Sequence, residues 1–216
     1  MILSRAEGAT IEARVAQVEA RTGAQVIAAV VGKSNTYPQL PWKAFALGAA
    51  GAGFGVVLAD WLRPDWTIGY AALLHAVAIL GAGAAFALLV VFVPAFARLF
   101  LRPPRRDLEV RRHAESLFLK RELFRTRERN GVLLLVSLFE RKVEILPDVG
   151  FRGRVSAAEW HQAIARMTPL LRGGRPADAM TEGLAAVEAL LVAKGFSAQP
   201  GERNELPDRP IVERGP

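Results

Sequence analysis

WKAFALGAAGAGFGVVLADWL (residues 42–62) and WTIGYAALLHAVAILGAGAAFALLVVFVPAFARLFL (residues 66–101) are two long apolar runs separated only by Arg63, Pro64 and Asp65. As a helix the first run spans about 31 Å at roughly 1.5 Å per residue, close to the roughly 30 Å hydrocarbon core of a bilayer. The second is uncharged from Thr67 to Ala97 and longer than one crossing needs. That length predicts a tilt, a bend near Pro94, or last turns lying along the interface. Trp42, Trp61, Trp66 and Tyr70 stand near the run ends, where amphipathic rings favour the headgroup layer. The flanking segments are too short to bury both runs in a soluble core, so residues 41–101 read as a transmembrane helical hairpin.

Charge sets the expected orientation. Arg98, Arg102, Arg105, Arg106, Arg111 and Arg112 follow the second run, and Lys33 and Lys43 stand around the start of the first. The short connection offers Arg63 against Asp60 and Asp65, so the positive-inside rule predicts both flanks and both termini in the cytoplasm, at the inner membrane, with the turn outside. Residues 1–23 carry acidic side chains and no apolar core, so a cleavable signal peptide is not expected. The net charge of +7 is concentrated beside the apolar runs. There it predicts a lipid-facing basic cluster made of the six arginines rather than a nucleic-acid surface, and no nucleic-acid motif accompanies it. Cysteine is absent, which excludes disulfides, thiol catalysis and Cys-ligated zinc.

Outward from the hairpin, Ser4, Arg5, Ala6 and Glu7 form a capping-box pattern that predicts a helix with Ile11, Val15 and Val18 on its apolar stripe, stopped at Gly23. Residues 24–31 are short, continuous and rich in Val and Ile, as in a strand covered on both faces. One strand makes no sheet, and the next candidates lie beyond the second apolar run. An even number of crossings returns them to the same side, which places the hairpin inside one folded domain. After it, residues 107–126 predict an amphipathic helix with Val110, Ala114, Leu117, Phe118 and Phe124 on one side and His113 on its border. Residues 132–138 read as a buried strand after the Asn130-Gly131 turn, and residues 142–146 as a strand with one wet face. A second capping box at Ser156 starts a helix through Trp160, Ile164, Met167 and Leu171; another follows from Pro176 through Met180, Leu184, Val187 and Leu191. Residues 197–216 are dominated by Pro, Gly and charge, which predicts a disordered tail.

The chemistry-bearing motifs are few. Gly51, Gly53 and Gly55 do not follow a strand beside soluble phosphate; Gly51 and Gly55, with Gly48, Gly81, Gly83 and Ala85, suit close helix packing in a membrane, within the hairpin or between two copies. His75 sits within the second run and, with Asp60 counted to the connecting loop rather than as a charged partner within a run, is expected to be an isolated polar side chain. Ser137 lacks the G-x-S-x-G setting of an activated nucleophile.

NGVLLLVSLFERKVEILPDVGF (residues 130–151), RTGAQVIAAVV (residues 21–31) and GRPADAMTEGLAAVEALL (residues 174–191) resemble the TPM domain family. The resemblance covers both soluble parts of the chain. It implies an α/β class fold, a small α/β/α sandwich with a mixed sheet, here interrupted by the two-helix transmembrane hairpin. The resulting division is residues 1–40 and 102–196 for the domain, 41–101 for the hairpin and 197–216 for the tail. Some family members are described as acid phosphatases, some hold a divalent metal on acidic residues, and others act in assembly of membrane complexes. Many carry an aspartate where this chain has Arg129, beside Asn130 and Gly131. The remaining candidates for a metal such as calcium or magnesium are Glu128, Glu144 and Asp148, which read otherwise as a helix-end charge, a strand's solvent-face residue and a turn former. The expected role is therefore a non-catalytic, cofactor-free interaction or assembly module at the membrane, with lipid and protein partners and scope for self-association. The alternative is a divalent-metal-dependent phosphatase.

Overall fold

The computed structural model describes residues 2–62, 70–199 and 204–215. The expected turn at Arg63, Pro64, Asp65 and Trp66 lies outside them. The chain divides into two compact units, Tyr37–Arg105 and the remainder, Met1–Thr36 with Arg106–Pro216.

In the larger unit β1 (Gln25–Val31) and β2 (Gly131–Ser137) pair in parallel, in the register Ile27 to Leu133 and Val31 to Ser137. The antiparallel strand β3 (Lys142–Pro147) flanks β2. Both central strands are buried along their whole length, as their unbroken apolar runs require. Alternate residues point to opposite faces. Val26, Ala28, Val30, Val132, Leu134 and Val136 meet one core with α1 (Arg5–Thr22), α6 (Ala157–Arg172) and α7 (Pro176–Ala193). Ile27, Ala29, Val31, Leu133 and Leu135 meet a second core with Val110, Ala114 and Leu117 of α5 (Pro103–Lys120). These two helical layers around a mixed sheet are the expected α/β/α sandwich.

Local chemistry fixes the helix ends. Ser4 and Glu7 make both bonds of the capping box, at 2.7 and 3.2 Å, and Ser156 and Glu159 repeat it at 2.8 and 3.4 Å. Gly23 closes α1 at φ 70°, a left-handed conformation that costs glycine little. Two expectations shift. The helix expected over residues 107–126 starts earlier and stops at Lys120; Glu122 turns left-handed at φ 54°, so Phe124 leaves the stripe and is 36% exposed. The tail is not disordered throughout. Ile211–Glu213 forms β4, pairing in parallel with Ala29, Val30 and Val31 and completing the order β3-β2-β1-β4. The unpaired backbone of β1 supplies the template that the tail's composition concealed.

The smaller unit contains α2 (Gln39–Leu62), α3 (Ala71–Phe92) and α4 (Pro94–Leu99). The long second run breaks at Val93, immediately before Pro94, because proline has no amide to continue the helix and crowds the preceding turn. Both α2 and α3 are long and apolar enough to cross a membrane, and only 6% and 11% of their most apolar windows are buried. Core helices of a soluble protein are not left open in this way. The helices meet at glycine: a Cβ on Gly48 would lie 2.7 Å from the Ala82 carbonyl oxygen, and one on Gly83 would lie 2.8 Å from the Phe45 ring. Gly51, Gly55 and Gly81 face open space. His75 is not isolated as expected, since its Nε2 lies 3.7 Å from an Asp60 carboxylate oxygen. Reading Asp60 with the connecting loop concealed that it returns to α3 once the two helices lie side by side.

Candidate functional site

The three carboxylates singled out from the sequence fall in different surroundings. Asp148 follows β3 and is nearly buried. The Arg129 guanidinium grips it with two parallel bonds, Nε to Oδ2 at 2.7 Å and Nη2 to Oδ1 at 2.9 Å, while Val149 N donates to Oδ1 at 2.8 Å. The turn that presents Arg129 is fixed independently: its φ is 53°, Asn130 Nδ2 donates to Gly23 O at 2.6 Å, and Asn130 N donates to Thr126 Oγ1 at 3.2 Å. Gly150 N donates to Arg129 O at 2.9 Å. A Cβ at Gly150 would approach that oxygen to 2.5 Å, so only glycine lets the two turns meet. The bond to Asp148 raises the Arg129 pKa above its ordinary value and keeps the guanidinium charged.

Glu144 is four residues earlier on β3, roughly 13 Å from Asp148 at about 3.3 Å per residue. It lies 3.3 Å from Arg111 Nη1. Burial raises its pKa, and the charges of Arg111 and Lys142 oppose that shift. Glu128 is exposed and lines a cavity of about 730 Å³ with Arg127, Asn130, Arg154, Phe196 and Glu205. A hard cation needs several oxygens within about 2.6 Å of one point. Glu144 and Asp148 are too far apart to share one, and Arg129 already occupies the Asp148 oxygens. Among the described residues no three of His, Asp and Glu converge into a metal-holding group. The residues present do not fit the divalent metal implied by the family resemblance.

A polar cluster that was not apparent from the sequence lies at the opposite, carboxyl ends of β1 and β2, where open α/β sheets ordinarily bind ligands. Ser137 is fully buried and donates to Glu140 Oε2; Ser34 Oγ lies 2.9 Å from Ser137 Oγ, and Ser34 N donates to Glu140 Oε1 at 3.0 Å. A serine beside a carboxylate is the raw material of nucleophilic catalysis. Here the hydroxyls and the carboxylate satisfy one another inside the core, so no substrate atom can approach Ser137. Leu138 N and Phe139 N also donate to Val31 O and Gly32 O, at 3.0 and 2.9 Å. The cluster ties the β2 to β3 turn onto the segment leaving β1. The register Val31 to Ser137 brings it together, a pairing that residue spacing along the chain does not reveal.

The arginine cluster also divides. Arg98, Arg102 and Arg105 belong to the hairpin unit, and Arg106, Arg111 and Arg112 to the larger one. The latter three contact carboxylates: Arg106 meets Asp107 at 3.3 Å, Arg111 meets Glu115 at 3.0 Å, and Arg112 meets Glu109 at 4.0 Å. His113, expected at the rim of α5, is indeed only partly exposed and lies 3.8 Å from Glu213 of β4.

Comparison with known proteins agrees with this architecture. The chain is similar in fold to the BA42 protein of the psychrophilic bacterium Bizionia argentinensis, solved by NMR, at a TM-score of 0.59 and 13% identity over 97% of this chain and 94% of that one. No curated protein matches it. The family model described as the TPM domain matches residues 71–190, from α3 through most of α7 and more than half of the sequence. With the sandwich and that match in hand, the chain belongs to the TPM domain family.

Proposed function

We propose that the chain is a membrane-tethered TPM domain that serves as a protein-binding module in a membrane complex and performs no metal-dependent hydrolysis. The observation that carries this reading is the Arg129 to Asp148 pair, in which a fixed guanidinium takes both oxygens of the best-buried candidate ligand. A cation binding there would have to displace an existing one and tolerate its charge nearby. Millimolar calcium, magnesium or manganese is therefore expected to leave the thermal midpoint of the detergent-solubilised protein unchanged, with no hydrolysis of a phosphomonoester. For scale, a ligand at about 100 times its Kd stabilises by roughly 2.7 kcal/mol, which such a scan detects. A metal-dependent shift and turnover, both lost in Asp148→Asn, would replace this reading with the phosphatase. Crosslinking of the intact protein in native membranes, followed by purification, tests the partner directly.

In this reading α2 and α3 cross the inner membrane and hold the α/β domain at its cytoplasmic face, an orientation supported by the flanking arginines and lysines. The absence of cysteine makes it testable. Single cysteines at Thr36, Asp65 and Arg152 are offered an impermeant thiol reagent on intact cells, and only the one at Asp65 is expected to label. Labelling at Thr36 or Arg152 would invert the topology.

A further inference from the structure

We propose that the base of the hairpin binds the phosphate of an anionic phospholipid headgroup; this rests on the membrane reading above. A cavity of about 360 Å³ lies there, lined by Gln39 and Lys43 from the start of α2 and by Phe100, Leu101, Arg102 and Arg105 from the α4 to α5 junction. Three lining groups are cationic and none is a carboxylate, and neither α2 nor α5 has an acidic residue in its first turn. Lys43 and Arg102 have no ion-pair partner among the described residues, and both are exposed.

The shared ligand chemistry is a phosphate bearing free anionic oxygens. An arginine fork matches two such oxygens, and the lysine ammonium adds a point charge from another helix. Depth selects the lipid over a soluble anion. Trp42, the neighbour of Lys43, is 75% exposed at the end of an apolar helix, where a tryptophan marks the headgroup layer. Leu101 is buried and Phe100 partly so, leaving an apolar wall for the glycerol and upper acyl chains.

The test compares full-length protein with the triple variant Lys43→Gln, Arg102→Gln, Arg105→Gln, and with a control of equal charge loss, Arg121→Gln, Arg152→Gln, Arg172→Gln. Retention of phosphatidylglycerol and phosphatidylcholine is titrated by native mass spectrometry from detergent. The wild type and the control are expected to retain phosphatidylglycerol preferentially, and the triple variant to bind it at least tenfold more weakly. Lys43→Arg, Arg102→Lys, Arg105→Lys, which keeps the charges but not the forks, is expected to retain phosphatidylglycerol preferentially and more tightly than the triple glutamine variant, separating charge loss from misfolding. Equal retention by the triple variant and the control overturns the site. Displacement of the lipid by millimolar inorganic phosphate overturns its assignment to a lipid. Alkaline carbonate extraction separates the two levels: wild-type protein released from membranes defeats the hairpin itself, whereas membrane-resident protein without selective retention defeats only this site.

Discussion

Ile27→Asp is expected to unfold the α/β domain while leaving the two apolar helices folded and, on the membrane reading proposed above, inserted. Ile27 is 1% exposed in the middle of β1, opposite Leu133, and faces the core that α5 closes with Val110, Ala114 and Leu117. None of these four apolar neighbours offers a cationic partner. A carboxylate there must be desolvated without compensation or take up a proton and still lack hydrogen bonds, costing several kcal/mol against a total stability of about 5–15 kcal/mol. Limited proteolysis of membranes carrying the variant should remove the soluble parts and leave a protected fragment containing α2 and α3. The result also decides a question of architecture. The family match begins at residue 71, so it does not include β1. Wild-type protease resistance in Ile27→Asp would show that the segment before the hairpin is not part of the sheet.

What could be read from the sequence followed the range of each signal. β1, β2 and β3 were legible within a residue or so, because continuous and alternating apolar patterns are local and both strand faces demand filling. The capped helices were equally plain, since Ser4 with Glu7 and Ser156 with Glu159 state their own geometry. β4 was not legible. Three residues carry no period, and its conformation comes from the edge of β1 that it covers. The site residues show the same division more sharply. Arg129 stood out as a departure and Asp148 as a turn former, but their pairing depends on two turns meeting at Gly150. Ser34, Ser137 and Glu140 become one network only through the parallel register, and Asp60 finds His75 only through the hairpin.

Glu19 is expected to make the stability of the α/β domain fall as pH rises through neutrality. It sits on α1 at 7% exposure, and its carboxyl oxygen accepts a bond from Val26 N at 2.7 Å, on a part of β1 that β4 does not cover. Burial pushes its pKa up to about 8; the Val26 bond opposes this, and the charge and hydrogen bond of Asp208 in the tail add to it. In the unfolded chain the same group titrates near 4.5. The folded state therefore holds a proton that the unfolded state releases over the intervening range. The stabilisation is complete below about pH 4.5 and is lost progressively until the folded group itself ionises near 8. At about 1.4 kcal/mol for each pKa unit, the loss is on the order of 3–5 kcal/mol. Glu19→Gln keeps the oxygen that Val26 N needs and removes the ionisation. Urea midpoints of the α/β domain, followed by pulse proteolysis of the solubilised protein from pH 5 to 8.5, are expected to decline much more steeply in wild type than in the variant. Differencing the two profiles removes what both proteins share: Glu159, whose pKa of about 2 comes from Lys194 and the Ser156 cap and which is flat over this range, and Glu144, whose burial-raised pKa slopes the same way as that of Glu19. The curves should lie closest at pH 5 and separate progressively up to about pH 8, where Glu19→Gln is the more stable; parallel profiles would mean that Glu19 is already ionised in the folded protein and that the tail lies against a charge.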